Sequence, residues 1–182
     1  MTRAQVEHLI RAAASIAADD DIVIIGSQAV LGQYPSAPAE LLVSMAADLY
    51  PRNHPERADL IDGSIGEGSY FHQTFGYYAH GVDETTAVLP AGWKDRLVAV
   101  RSPDTHGATG WTLEIHDLLI PKYVAGRPKD REFIRESIRG GMAAQDALLA
   151  RLGTTELRED VAQSLATRIR SDFGEIERAP NA

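Results

Sequence analysis

Apolar residues recur at helical spacing near the start of the chain. Val6, Leu9, Ile10, Ala13 and Ile16 fall on one stripe and predict a helix over residues 3–18. Asp19, Asp20 and Asp21 stop that pattern, and the β-branched run 22–25 reads as a buried strand. Gly26-Ser27 comes next, with Ser27 placed to cap a helix that opens at Gln28 and runs to Gly32. Residues 34–38 are loop, and the apolar run 40–46 predicts a second strand ending at Ala47-Asp48.

Two prolines make residues 50–56 irregular, and two short helices are predicted within 57–75, around the glycine-rich stretch 62–68. Strands are expected at 77–81, 85–89, 96–100 and 111–115, separated by turn residues. Helices follow at 116–125, 129–139, 142–152 and 155–176, broken by Gly126-Arg127-Pro128 and by Gly140-Gly141. Residues 179–182 read as a frayed end. This order predicts an α/β (α+β) fold, a mixed β-sheet flanked by helices with a helical C-terminal part. A main domain over 1–140 is expected, with a helical extension over 141–182 packed on it.

Composition narrows the function classes. At 182 residues and 44% hydrophobic, the chain has material for a core and is no candidate for disorder. No apolar run nears the roughly 20 residues of a membrane span, and the first residues lack the apolar centre of a signal peptide. A cytoplasmic chain without a membrane partner is therefore expected. The absence of cysteine excludes disulfides and thiolate zinc sites, and the six histidines show no metal-ligand spacing. Net charge −8 argues against a broadly basic nucleic-acid binder and makes DNA an unlooked-for partner. The cations between Lys122 and Arg139 read equally as a solvated helix face or a phosphate-binding one. Tyr70, Phe71, Phe75, Tyr77 and Tyr78 read as core rather than as a base-stacking platform.

The segment from Ile22 to Asp48 carries the most chemistry. A small pair after a strand lets backbone N–H groups approach a phosphate at the start of a helix. An acid at the C-terminal edge of the next strand would hold Mg²⁺ against that phosphate. On spacing alone, an ordinary strand-to-helix turn remains the better reading.

Gly26-Ser27-Gln28-Ala29-Val30-Leu31, followed by Ser44-Met45-Ala46-Ala47-Asp48, resembles the opening motif of the polymerase-β-like minimal nucleotidyltransferases. In that motif a Gly-Gly or Gly-Ser turn precedes a strand carrying Asp/Glu-x-Asp. A second block, His116-Asp117-Leu118-Leu119-Ile120-Pro121-Lys122-Tyr123-Val124-Ala125-Gly126-Arg127-Pro128-Lys129-Asp130, resembles the corresponding block of AbiEii-like nucleotidyltransferases, many of them toxin or phage-defence proteins. Ser44 matches the motif hydroxyl and Asp48 its second acid, but Ala46 stands where the first acid belongs.

The resemblance implies roles residue by residue. Gly26 and Ser27 would contact the phosphates of a nucleoside triphosphate (NTP), and Asp48 would ligate Mg²⁺, with Glu114 as a further metal-binding acid. Lys122 would neutralise the β- and γ-phosphates, a task suited to a compact point charge. Asp130 is implied as another catalytic acid, and Arg127 as a phosphate or acceptor contact. The implied reaction moves a nucleoside monophosphate from NTP to a macromolecule, with tRNA favoured as acceptor and a protein as the other option. A toxin with an antitoxin partner is the implied setting. Two-metal transfer needs more than one carboxylate, so Ala46 predicts very low activity. The alternative is a non-catalytic nucleotide- or partner-binding module that kept the fold and lost the acid.

Overall fold

The computed structural model describes residues 1–178, and the expected fraying of residues 179–182 lies outside that range. Two compact units divide the chain: one holds Met1–Ala87 and Arg96–Glu114, the other Val88–Asp95 and the chain from Ile115 on. The fold class is α+β as expected, with all five strands in the first unit and a helical C-terminal part.

In the first unit, α1 (Arg3–Ala17) follows the apolar stripe. It opens with Thr2 and Gln5 bonded reciprocally as a capping box, and ends where Ala18 takes a left-handed conformation. Next come β1 (Asp21–Ile24), the short helix α2 (Val30–Gln33) after a 3₁₀ turn over Ser27–Ala29, and β2 (Ala46–Pro51). Helices α3 (Ala58–Ile65) and α4 (Tyr70–Phe75) lead to β3 (Tyr78–Gly81), and β4 (Val98–Val100) and β5 (Thr109–Thr112) complete the sheet.

The strand order is β3-β2-β1-β5-β4. β1 runs antiparallel to β2 and parallel to β5, and β2 runs parallel to β3. Central β1 is buried on both faces, which its β-branched run anticipated. Leu9, Ile10 and Ala13 of α1 form the core with Ile22, Ile24, Leu49 and Ile61, all fully buried. Gly110 matters here for its size. A Cβ on it would stand 2.4 Å from the Cδ1 of Ile10, so glycine lets α1 lie close on the sheet.

Several expected strands moved. The run 40–46 is not a strand: Glu40 and Leu41 lie in a 3₁₀ turn at Ala39–Leu41, and β2 begins only at Ala46. Pairing decided this: the ladder with β3 begins at Ala46 opposite Tyr78, and Leu49 to Pro51 pair with β1. The strand expected at 85–89 is absent too. Asp83 accepts from the backbone N–H and hydroxyl of Thr85 and winds a 3₁₀ turn over Glu84–Thr86. β4 and β5 are shorter than expected, and β5 starts two residues earlier than its expected 111–115.

The second unit contains α5 (Ile115–Ala125), α6 (Pro128–Arg139), α7 (Gln145–Leu152) and α8 (Glu159–Arg178). α5 packs against α6 and α7, and α8 packs against the same two helices. Gly126, at φ +60°, ends α5, and Pro128 opens α6 as a first-turn proline, so the Gly-Arg-Pro break is a helix stop followed directly by a helix start. Among the described residues no helix is long and apolar enough to cross a membrane.

Candidate functional site

β2 alternates between half-buried and buried at its start, so Ala46 and Asp48 share one face while Ala47 and Leu49 face the core. Asp48 is thus the third residue of its strand, not the acid at a strand's C-terminal edge that the sequence suggested. Ser44 sets the entry to β2. Its hydroxyl accepts from the Ala46 N–H at 3.1 Å and donates to the Ala46 carbonyl at 2.9 Å.

Gly26 follows β1 directly beneath the Asp48 carboxylate. A Cβ on Gly26 would lie 2.2 Å from Asp48 Oδ2 and 2.8 Å from its Cγ, and the Ile25 N–H donates to the Asp48 carbonyl at 3.0 Å. The structure therefore brings together Gly26 and Asp48, two residues singled out from the sequence, and sets Ser27 beside them at the first position of the 3₁₀ turn. Gln28, next along, is fully buried and donates its amide to the Ser44 carbonyl at 3.3 Å.

One neighbour went unrecognised in the sequence. In the parallel ladder Ala46 pairs with Tyr78 and Asp48 with His80. The Nδ1 of His80 lies 3.3 Å from Asp48 Oδ1, and both side chains are open to solvent. The only sequence signal was period-2 alternation within the expected strand 77–81, which places Tyr78 and His80 on one face. Nothing local said which strand that face would adjoin. The aromatic group is mostly not core: Tyr77 is buried, but Tyr70 is 89% and Phe75 47% exposed. His8 joins this group, 5.0 Å from the Phe71 ring and 4.8 Å from that of Phe75, with its Nδ1 2.7 Å from the Tyr77 hydroxyl.

Glu114 lies beyond the end of β5. Burial first, and then the Glu114 charge, push the Tyr34 phenol above its ordinary range, so these two side chains are neighbours. Donor chemistry tests the expected Mg²⁺. The ion prefers oxygen ligands in near-octahedral geometry. On this face Asp48 supplies one carboxylate, His80 a nitrogen and Ala46 nothing. Among the described residues no three acids or histidines are grouped to hold a metal ion. These side chains do not fit a two-ion centre.

The remaining candidates lie together in the second unit. Asp130 is 1% exposed. Its Oδ2 accepts from Arg127 Nε at 2.6 Å, and its Oδ1 lies 3.6 Å from Lys122 Nζ. Burial alone would raise the Asp130 carboxyl. The Arg127 hydrogen bond and the charges of Lys122 and Arg127 outweigh it and hold the group below its ordinary value. Lys122 is itself buried, with its ammonium 4.2 Å from the centre of the Phe133 ring.

A family described as nucleotidyltransferase of unknown function (DUF6036) matches residues 4–173, nearly the whole chain. No curated protein and no solved structure matches it.

Proposed function

The chain belongs to this nucleotidyltransferase family, and from that premise we propose that it binds a nucleoside triphosphate on the face shared by β2 and β3. Gly26 and Ser27 present backbone N–H groups to the phosphates, and Asp48 is the one acidic anchor for Mg²⁺ carried in by the triphosphate. By the resemblance alone, Lys122 neutralises phosphate charge, Arg127 contacts phosphate or acceptor, and Asp130 is a further acid. In the reaction an acceptor hydroxyl oxygen bonds to the α-phosphorus. The bond to the β-phosphate oxygen breaks, pyrophosphate leaves with the electron pair, and the hydroxyl proton passes to solvent. tRNA is the favoured acceptor and a protein hydroxyl the second, in the setting of a toxin held by an antitoxin. The resemblance alone supports that setting.

The observation that carries this reading is the Gly26–Asp48 contact, with Ala46 on the same strand face and two residues before the acid. One carboxylate where two are required makes the chain with Ala46 a weak enzyme. The test is restoration by Ala46→Glu. Both proteins are incubated with each α-labelled NTP, Mg²⁺, total tRNA and cell lysate. Label on RNA or protein with the substituted form alone supports the reading and names the NTP and acceptor together. Growth arrest on expressing the restored form supports the toxin setting, and unaffected growth counts against it.

One observation favours a second reading, binding without transfer. The His80 imidazole lies 3.3 Å from one oxygen of the Asp48 carboxylate. No label from either protein would select that reading.

A further inference from the structure

A separate feature lies wholly within the helical unit, and its case does not rest on nucleotidyl transfer. Lys122, Tyr123, Arg131, Arg135, Arg168 and Asp172, from α5, α6 and α8, line an open cleft of about 50 Å³, with Gly126 at its rim. Two of its four cations already have acid partners: Lys122 has Asp130, and Arg135 faces Glu175 at 3.9 Å. The other two are differently placed. Arg131 uses Nε to reach the Gly126 carbonyl at 3.1 Å and lines the cleft. Arg168 has an Nη1 only 3.7 Å from where a Gly126 Cβ would stand, and no hydrogen bond or ion pair ties it to another described residue.

A neutral donor completes the lining. Tyr123 is 1% exposed, and its buried hydroxyl has no well-aligned hydrogen bond, with the Asp172 carboxylate as its neighbouring acceptor. Burial first, and then the nearby Asp172 carboxylate, push its phenol well up, so it keeps its proton and remains a donor. The Asp172 carboxylate is an acceptor within its reach, and a phosphate oxygen in the cleft would compete with it for this donor. Asp172 is the one acid of the lining and limits the charge available to a ligand.

We infer that this cleft is a phosphate-binding site, in which Arg131 and Arg168 grip the phosphoryl oxygens and the Tyr123 hydroxyl donates to one of them. Guanidinium forks match phosphate oxygens in geometry, and a dianion suits converging cations on helices of a chain whose net charge is −8. The phosphate is that of a free nucleotide or of a polynucleotide backbone, since the same donors serve both.

The test is isothermal titration calorimetry of the full chain with inorganic phosphate, with sodium chloride at matched ionic strength as control. Phosphate is expected to bind where chloride does not, and Arg168→Gln to weaken it about tenfold, the loss of one charge-assisted contact. Arg168→Lys should recover part of the affinity. With no hydrogen bond or ion pair to another described residue, Arg168→Gln should keep the melting temperature of the unsubstituted chain, and Arg131→Lys is read in the same way if it does not. Parallel titrations with ATP and with a short single-stranded RNA assign the source, by whichever loses more affinity in Arg168→Gln. Phosphate affinity unchanged in natively melting variants would overturn the site, as would no binding to the natural chain or an equal response to chloride. All titrations keep Ala46, so failure of label transfer after restoration leaves this result intact.

Discussion

The carboxylate of Asp48 fills the space where a side chain on Gly26 would begin, with Oδ2 only 2.2 Å from the ideal Cβ position. Gly26 has φ −85°, a value open to any residue, so close approach and not backbone freedom requires glycine here. The contact makes a local feature of the sequence, a small residue after a strand, depend on an acid from another strand.

Gly26→Ala should therefore move the Asp48 carboxylate and cost about 1–3 kcal/mol, the range for inserting a methyl into packed surroundings. Asp48→Ala alone should cost less, because that side chain is open to solvent. In the double variant much of the Gly26→Ala penalty should disappear. Urea unfolding of the four proteins gives the coupling energy, and strict additivity would refute the contact.

Ala46→Glu places a second carboxylate on the Asp48 face. Repulsion between the two acids should lower stability slightly without metal, and Mn²⁺ or Mg²⁺ should then raise the melting temperature of this variant and not of the natural chain. At a metal concentration 100 times the dissociation constant the gain would be about 2.7 kcal/mol. This reads the rebuilt donor set even if no acceptor has been found, and equal responses of the two proteins to metal would count against it.

Asp130 neutralises two cations from a buried position. Asp130→Ala leaves Lys122 buried without that partner and should cost about 3–5 kcal/mol. Arg127→Ala should cost about 1 kcal/mol or less, since that side chain is 60% exposed. The folded-state carboxyl is held below its ordinary value, so the stabilisation is complete above the unfolded value of about 4 and is lost as pH falls through the lower folded value. Urea midpoints between pH 7 and pH 2.5 should show the natural chain converging on Asp130→Asn at the acid end.

Asp19 ties the end of α1 to the segment after β2. Its carboxylate accepts from the backbone N–H of Asp21, Asn53 and His54 at 3.0, 2.7 and 3.1 Å, and from the Asn53 amide at 2.9 Å. Burial acts to raise its carboxyl. The Asn53 side-chain bond and the backbone bonds prevail and lower it, so this stabilisation too is present above about pH 4 and fades below. Asp19→Ala should cost about 2–4 kcal/mol at neutral pH by leaving several donors unpaired. A midpoint within the error of the natural chain at pH 7 would contradict the role.

Patterns with a local cause could be read from the chain alone. The stripe of α1, the β-branched run of β1, the Gly-Arg-Pro break and the chain of C-terminal helices each depend on neighbours three or four residues away, or on one residue's own backbone limits. The small pair Gly26-Ser27 and the acid Asp48 were legible in the same way, as a motif. Register was not. The apolar run 40–46 satisfied a strand pattern, but pairing of Ala46 with Tyr78 started β2 only at Ala46. His80 looked like any unpaired histidine until the parallel ladder set it beside Asp48, 32 residues away in sequence. Local backbone preference is a property of a few consecutive residues, whereas strand pairing is chosen by burial across the whole sheet. The sequence therefore determined which elements form and which residue types carry chemistry. Only the tertiary structure decided that Asp48 meets Gly26 and His80.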